Sequence, residues 1–263
     1  MRFLFLGDIV GAPGVAAVRK LLPGIRKSEG LSFVVANAEN ATNGSGLSPK
    51  DYRQLRMAGI DAVTLGDHIY KTQEIAEVMA NPLEPIGKPA NFPPEAPGRD
   101  RVTLTVNGVS VVVIALMGRT FMRPVDCPFA AVDRVLASLA VGPRVVLVDI
   151  HAEATADKYL MAHHLKGRVT AVLGTHTHVP TADEQILPGG TAFQCDVGMC
   201  GPYDSILGRR IDRVLSTAIT FIPSSFDVAT NDVRLSGTIV DADPATGAAT
   251  GIRRLQWRED ATA

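Results

Sequence analysis

Apolar and polar positions divide the chain into short apolar runs separated by longer amphipathic segments. Apolar runs bounded by turn residues indicate buried strands, whereas apolar residues repeated at helical spacing indicate helices. Regular alternation of strands and helices along the chain is typical of parallel βαβ units. On this basis we predict buried strands at 2–7, 31–36, 61–65, 144–149 and 169–173.

Amphipathic segments follow most of these strands and predict the helices. Ser48 and Pro49 are residue types preferred at a helix N-cap and at the first helical position, so they mark one helix start. Glu153 and Asp157 are predicted in the first turn of a later helix, where carboxylates interact favourably with the helix dipole. Further helices are predicted from the glycine-rich turn after Asp8 and at 72–79, 129–140 and 209–217.

Segments with strict alternation predict antiparallel hairpins. The dipeptide Asn107-Gly108 is a strong hairpin signal because both residues tolerate the positive φ angles of a tight turn. We predict hairpins at 101–116, 186–196 and 232–258. So many strands exceed what one open sheet normally holds, and we expect two stacked sheets flanked by helices in a single domain, residues 1–263.

Composition places the chain among ordinary globular proteins. Apolar residues make up 46% and charged residues 20%, and the net charge of −1 does not favour binding to extended nucleic acid or a membrane surface. Apolar runs are too short to span a bilayer, and Gly7-Asp8 interrupts the first run too early for a signal peptide. Three cysteines without CxxC spacing suit reduced packing residues and a cytoplasmic location.

Residues with metal-binding side chains follow the predicted strands, whose carboxyl ends meet at one edge of a sheet. Taken individually, Asp8 could accept hydrogen bonds from the backbone of its loop, and Asp67 could cap the next helix. His151 could be a histidine at the sheet edge whose hydrogen bonds are satisfied. Together, three carboxylates and three imidazoles on one rim would be unfavourable without a cation. Nitrogen and oxygen donors without a thiolate suit divalent Mn, Fe or Zn. The candidate ligands are Asp8, Glu39, Asp67, His151, His176 and His178.

Two of these histidines, His176 and His178, stand two positions apart directly after a predicted strand. In an extended chain, side chains at positions i and i+2 point to the same face. We therefore expect both imidazoles to face a common site. A pair of surface histidines in a turn would have the same spacing and is the alternative.

With their neighbours, these residues resemble a known family, the calcineurin-like metallophosphoesterases. The similarity is closest to the YmdB-type branch, which comprises cyclic-nucleotide phosphodiesterases of bacteria, and it covers most of the chain from the N-terminus to about residue 215. The motifs that carry it are Gly7-Asp8-Ile9-Val10-Gly11, Asn37-Ala38-Glu39-Asn40-Ala41, Gly66-Asp67-His68, His151-Ala152-Glu153-Ala154-Thr155, Gly174-Thr175-His176-Thr177-His178 and Asp196-Val197-Gly198-Met199.

The resemblance implies a four-layer α/β/β/α sandwich of two mixed sheets, with two divalent metal ions at one rim. Iron or manganese is expected, with zinc as the alternative. His68 would be an unliganded imidazole that donates a proton to the leaving oxygen, although it could instead be a spare ligand or a residue behind the ligands. One ion would be held by Asp8, Glu39, Asn40 and His178, and the other by Glu39, Asp67, His151 and His176.

Two positions depart from the family pattern. Val10 stands where the wider family has a histidine ligand, and Asn40 would take that role in the YmdB-type branch. Asp67 stands where the family has asparagine. An ionised carboxylate makes the centre one unit less positive than an amide would, so we expect stronger metal retention and a less acidic water at the metals.

The candidate ligands predict a metal-dependent phosphodiesterase whose metal ions activate a water, and the resemblance implies a 2′,3′-cyclic nucleotide as the small-molecule substrate. A phosphomonoesterase is the second possibility, although the extra carboxylate disfavours a dianionic substrate. A signalling or RNA-associated regulatory protein with little turnover is the third. A homo-oligomer is compatible with the sequence, and a membrane partner is not expected.

Overall fold

The computed structural model describes residues 1–140, 142 and 144–258. Residues 141, 143 and 259–263 of the predicted domain lie outside the described residues. The helices are α1 (Gly11–Ser28), α2 (Pro49–Met57), α3 (Ile75–Ala80), α4 (Pro128–Ala137), α5 (Thr155–Leu165) and α6 (Ile211–Thr220). The strands are β1 (Arg2–Leu6), β2 (Asp8–Ile9), β3 (Phe33–Asn37), β4 (Ala62–Thr64), β5 (Val102–Val106), β6 (Val109–Met117), β7 (Arg144–His151), β8 (Ala171–Thr175), β9 (Gln185–Leu187), β10 (Thr191–Gln194), β11 (Met199–Pro202), β12 (Val233–Ala242) and β13 (Ala249–Arg258).

Two mixed sheets form the centre of the fold. Among the described residues, one sheet has seven strands in the order β2-β11-β12-β1-β3-β4, with β13 paired to β12, and the other has six in the order β5-β6-β7-β8-β10-β9. The predicted parallel βαβ pattern is present in the pairs β1/β3, β3/β4 and β7/β8. All three predicted hairpins are also present, as the antiparallel pairs β5/β6, β9/β10 and β12/β13.

Alternate side chains of the strands face different layers, which confirms the four-layer α/β/β/α prediction. Phe3 and Phe5 of β1 point into the apolar layer between the two sheets, where the rings of Phe3 and Phe33 stack with centroids 4.8 Å apart. Leu4 and Leu6 point the other way, onto α1 and α2. Helices α4 and α5 cover the outer face of the six-stranded sheet in the same manner.

Element boundaries differ from the sequence-based prediction at functionally relevant places. The predicted first strand is interrupted at Gly7, and Asp8 begins a separate short strand that pairs with β11, which the sequence did not reveal. Strand β7 continues through His151 because that residue pairs with both Met117 of β6 and Thr175 of β8. Helix α6 begins at Ile211 rather than at 209, and none of its residues is buried.

The remaining fold predictions concern membranes and cysteines. Within the described residues, every helix is too short or too polar to cross a bilayer. All three cysteines are free thiols, and Cys195 and Cys200 are buried. Burial raises the pKa of Cys200 to about 12, so this thiol is protonated at neutral pH and serves as a packing residue.

Candidate metal centre

The predicted ligand residues gather at one edge of the two sheets. Asp8 lies in β2, His151 is the last residue of β7, and the others follow the ends of β3, β4 and β8. Asp8, Glu39 and His151 are fully buried, whereas the side chains of Asp67 and His176 remain about a quarter exposed. The edge therefore combines buried charges with access from solvent.

Four of these residues form a compact cluster. One ligand atom from each lies within 4.8 Å of the ligand atoms of the other three, and the members are Glu39, Asp67, His151 and His176. His151 Nε2 lies at the centre, 3.2 Å from Glu39 Oε1 and 3.1 Å from Asp67 Oδ1. His176 Nδ1 lies 3.1 Å from the same nitrogen. These four residues coincide with one of the two ligand sets that the resemblance implies.

The second implied set is more open. Asp8 Oδ1 lies 3.9 Å from His178 Nε2, and the Asn40 amide nitrogen lies 3.3 Å from that same imidazole nitrogen. The Asn40 side-chain oxygen points away, toward His68 Nδ1 at 2.8 Å. An amide binds metals through its oxygen, so a metal role for Asn40 requires the amide to turn over.

Electrostatics in the cluster favour a bound cation. Burial would raise the pKa of Glu39, but the neighbouring His151 charge lowers it to about 2. Burial acts in the same direction on Asp67, yet hydrogen bonds from His151 and His176 hold its pKa well below the ordinary value. Conversely, Glu39 and Asp67 raise the pKa of His151 well above normal despite its complete burial. Without metal, protons on imidazole thus balance carboxylate charge that divalent ions would otherwise balance.

Two further features fit a divalent cation. Asp8 Oδ1 is buried, and among the described residues it has no hydrogen-bond partner. A buried carboxylate oxygen is strongly disfavoured when it is unpaired, so a cation at this position would remove the penalty. Gly66 provides the space, because a Cβ there would lie 2.3 Å from His151 Nε2 and 2.5 Å from Glu39 Oε2. The oxygen and nitrogen donors at this edge are the ligand types that divalent ions such as Mn, Fe and Zn accept.

A buried hydrogen-bond chain orients His151. The Thr175 hydroxyl donates to Asp149 Oδ1 at 2.7 Å, so it accepts from His151 Nδ1 at 2.8 Å. Asn37 donates to the other oxygen of Asp149 at 3.1 Å. This arrangement keeps a proton on Nδ1 of His151 and turns Nε2 toward the cluster, so an imidazole that loses its Nε2 proton is already oriented as a metal ligand.

Thr175→Val removes the hydroxyl from this chain at nearly constant volume. We expect metal affinity to fall by about 10- to 100-fold, because partners behind a histidine ligand fix its tautomer and ring orientation. Metal titration by calorimetry measures the change, and Thr191→Val, at a buried threonine hydroxyl outside the centre, is the control. Equal affinities for Thr175→Val and the unmodified protein would exclude this orienting role.

The His176-Thr177-His178 segment is not extended, and the prediction that both imidazoles share a face by strand alternation is wrong. His176 has a φ of +95° and His178 a φ of +66°, so each residue turns the chain. Gly174, in the strand before the turn, permits the close approach of the backbone at Cys195, because a Cβ at position 174 would lie 1.7 Å from the Cys195 carbonyl oxygen. The two side chains nevertheless reach the same edge, His176 beside Asp67 and His178 beside Asn40.

A buried ion pair holds this turn in place. Lys158 Nζ lies 2.8 Å from Asp196 Oδ2, and both residues are almost completely inaccessible to solvent. The same carboxylate oxygen accepts hydrogen bonds from the backbone N–H of Thr177 at 3.1 Å and from its hydroxyl at 2.6 Å. The backbone N–H of His176 donates to Asp8 Oδ2 at 3.0 Å. These bonds compensate the strain of two positive φ angles outside glycine.

Sequence reasoning missed several residues around the centre. Lys158 could have been found from its spacing, since Met161, Ala162 and Leu165 place it on the buried face of α5. Glu153 lies before α5 rather than in its first turn, and its Oε2 lies 3.2 Å from His176 Nε2. Asp157 is in that first turn, as predicted.

His68 occupies the solvent side of the centre. Its Nδ1 donates to the Asn40 side-chain oxygen, which can only accept, and its Nε2 lies 3.6 Å from Asp67 Oδ2. The side chain is 30% exposed and lines an adjoining cavity together with Asp67 and His176. A hydrogen bond to Glu39 and nearby carboxylate charge raise the pKa of His68, which favours the protonated form.

Comparison with known proteins places this arrangement in a family. The family described as YmdB-like protein matches residues 4–255. The 2′,3′-cyclic-nucleotide 2′-phosphodiesterase of Bacillus subtilis is 41% identical over 260 residues, which cover 99% of this chain and 98% of that protein.

Two crystal structures have nearly the same fold. A hypothetical protein from Thermus thermophilus superposes with a TM-score of 0.93 at 43% identity, covering 98% of this chain and all of that one. A phosphatase from Mycoplasma pneumoniae gives 0.92 at 28% identity, covering 98% and 93%. The predicted resemblance is thus confirmed, and the chain belongs to the YmdB-like protein family.

Proposed function

We propose that this protein is a metal-dependent phosphodiesterase that hydrolyses 2′,3′-cyclic nucleotides. The observation that carries the proposal is the compact Glu39–Asp67–His151–His176 cluster beside a solvent-accessible cavity. The name of the 41% identical Bacillus subtilis relative supports the same reaction, and relatives named phosphatase or phosphodiesterase are hydrolases. We propose iron or manganese, with zinc as the alternative, at a centre formed by both implied ligand sets.

Two divalent ions at this centre would lower the pKa of a water and offset the negative charge of the phosphodiester. The chain's own residues supply the remaining functions. Glu39, the fully buried carboxylate common to both implied ligand sets, would hold the two positions at a fixed separation. Asp149 and Thr175 keep the Nε2 of His151 directed at the centre. The exposed edge leaves room for a small cyclic phosphodiester to approach.

His68 is proposed to protonate the leaving oxygen. An alkoxide is a poor leaving group, so a positioned acid near this oxygen lowers the barrier. Asn40 fixes the ring through Nδ1, and Nε2, which lies 3.6 Å from Asp67 Oδ2 in a side chain that lines the open cavity, would carry the transferred proton. The ring opening of a 2′,3′-cyclic phosphate would then yield a nucleoside monophosphate.

Hydrolysis of matched substrates tests this function. Protein loaded with Mn²⁺ or Fe²⁺ is assayed on 2′,3′-cyclic AMP, 3′,5′-cyclic AMP and p-nitrophenyl phosphate. We expect chelator-sensitive turnover that is fastest on the 2′,3′-cyclic nucleotide. Preference for the monoester would favour the phosphomonoesterase alternative, and absence of turnover at full metal occupancy would favour a regulatory protein.

Asp67→Asn tests the effect of the third carboxylate. The amide makes the metal-loaded centre more positive by one charge. We therefore expect turnover to rise roughly tenfold, or the pH profile of turnover to move to lower pH by about one unit. Metal affinity should fall at the same time. Asp126→Asn, at an exposed carboxylate outside the cluster, is the control. Complete loss of activity with unchanged metal content would contradict this account.

The cellular setting of the protein is proposed from the sequence alone. The reduced thiols support a cytoplasmic location. A net charge close to zero supports a small-molecule substrate rather than extended nucleic acid. We also propose that the protein forms a homo-oligomer. The exposed apolar side chains along α6 are compatible with such an interface, namely Ile211, Leu215 and Ile219. Sedimentation velocity measures this directly.

A further inference from the structure

A cavity of about 520 Å³ adjoins the candidate metal centre. This volume lies within the range of sites that enclose small organic ligands. Part of the lining belongs to the centre itself, and the rest comes from the segment after β6 and from a lysine after β4. The lining residues are Asp67, His68, Lys71, Phe121, Met122, Arg123 and His176.

Phe121 is the conspicuous residue of this lining. Its side chain is 90% exposed, and its φ of +60° is unfavourable for a residue that carries a Cβ. A single exposed apolar residue is ordinary on a protein surface. The combination here is different, because an exposed aromatic ring in a strained conformation lies in the same cavity as His68 and His176. Strain of this kind concentrates at ligand-binding positions.

Hydrogen bonds hold the segment that carries Phe121. Asp157 Oδ2 accepts from the backbone N–H groups of Arg119 at 2.8 Å and Thr120 at 2.9 Å, and Asp157 Oδ1 accepts from the Thr120 hydroxyl at 3.0 Å. On the other side, the Met122 sulfur accepts from the backbone N–H of Glu153 at 3.4 Å. Phe121 is therefore presented by a fixed turn between two anchored residues.

The charges in the lining suit a nucleotide. Lys71 and Arg123 add positive charge, and the Arg123 guanidinium carbon lies 5.8 Å from the centroid of the Phe92 ring, which restrains it. An anionic ligand with a flat aromatic part matches a lining that combines cations with an exposed aromatic ring. Proteins bind bases in this way, by stacking them on aromatic side chains.

We propose that Phe121 is the platform on which the nucleobase of the substrate stacks while its phosphate lies at the metal centre. This inference rests on the proposed function, since it names the part of the site that recognises the base. Stacking of this kind tolerates different bases because every base has an aromatic face. Phe121 would thus select nucleotides over small phosphodiesters that lack a base.

Two substrates and one fluorescent ligand test the proposal on the metal-loaded protein. Turnover is compared on 2′,3′-cyclic AMP and on glycerol 1,2-cyclic phosphate, which has the same strained ring but no base. We expect Phe121→Ala to lower kcat/KM about tenfold or more on the nucleotide and less than about twofold on the glycerol compound. Phe121→Tyr should retain activity, whereas Phe121→Leu should resemble alanine.

The fluorescent ligand is 2-aminopurine riboside 3′-monophosphate, whose emission is quenched when the base stacks. Quenching by the unmodified protein and its loss in Phe121→Ala are expected. Phe221→Ala is the matched control, because Phe221 is 88% exposed with a φ of +58° but lies at the end of α6. Unchanged quenching in Phe121→Ala, no quenching by the unmodified protein, or equal loss on both cyclic substrates would overturn the proposal. Absence of turnover with Phe121-dependent quenching would refute only the proposed function.

Discussion

His68→Ala is expected to lower turnover of a 2′,3′-cyclic nucleotide by about 10² or more while the bound metal content stays the same. His68 lies on the solvent side of the cluster, and its Nδ1 is engaged with Asn40. Its loss would remove the proposed proton donor for the leaving oxygen without removing any residue of the compact cluster. Steady-state kinetics combined with elemental analysis of the same samples measures both quantities.

The substrate dependence of the His68 variant provides a sharper test. A p-nitrophenolate leaving group needs little protonation, so the defect of His68→Ala should shrink on bis-p-nitrophenyl phosphate. His163→Ala is the control, because His163 is an exposed histidine on α5 outside the centre. Full activity of His68→Ala on the cyclic nucleotide would remove His68 from the mechanism, and loss of metal would identify it as a ligand.

Lys158→Met is expected to lower the free energy of unfolding by about 3–5 kcal/mol, because it leaves the buried carboxylate of Asp196 without its cationic partner. The same carboxylate fixes Thr177 between the two histidine candidates, so metal affinity should fall as well. Chemical denaturation of the metal-free protein separates the loss of stability from the loss of metal.

Two further variants distinguish a specific ion pair from a general loss of a lysine. Lys166→Met removes an exposed lysine at the end of α5 and should change stability little. The double variant Lys158→Met/Asp196→Asn removes both charges and should recover part of the stability, because no unpaired buried charge remains. A loss below about 1 kcal/mol for Lys158→Met would show that Asp196 is satisfied by its hydrogen bonds alone.

The layer order and the gathering of ligands could be predicted because both follow from local patterns. Alternation of strands and helices predicts that the parallel strands of one sheet end at the same edge, so Glu39 and Asp67 converge without any knowledge of loops. His151 ends a strand of the other sheet, and it reaches them because the two sheets stack. The motif resemblance added His68 and Asn40, and it separated the ligands into two sets. Of these, the set around His151 is compact in the structure, and assignment of the individual ligands stays a prediction.

Other features depend on contacts between distant segments and leave little trace in local sequence. The direction of the His178 side chain depends on a turn with positive φ angles. Asp196, in the connection between β10 and β11, stabilises this turn by accepting a hydrogen bond from Thr177. The short strand at Asp8 exists because β11 pairs with it. The exposure of Phe121 follows from how Asp157 anchors its turn, and sequence spacing does not report such an anchor.

We propose that these residues hold two divalent ions around the shared carboxylate of Glu39. Quantitative metal analysis of the purified protein after loading with Mn²⁺ and removal of excess ion tests it most directly, with Glu39→Gln analysed in parallel. We expect two ions per chain in the unmodified protein, and loss or strong weakening of both in Glu39→Gln. A protein that hydrolyses the cyclic nucleotide at full rate with no bound metal, or a Glu39→Gln variant that keeps both ions, would contradict it.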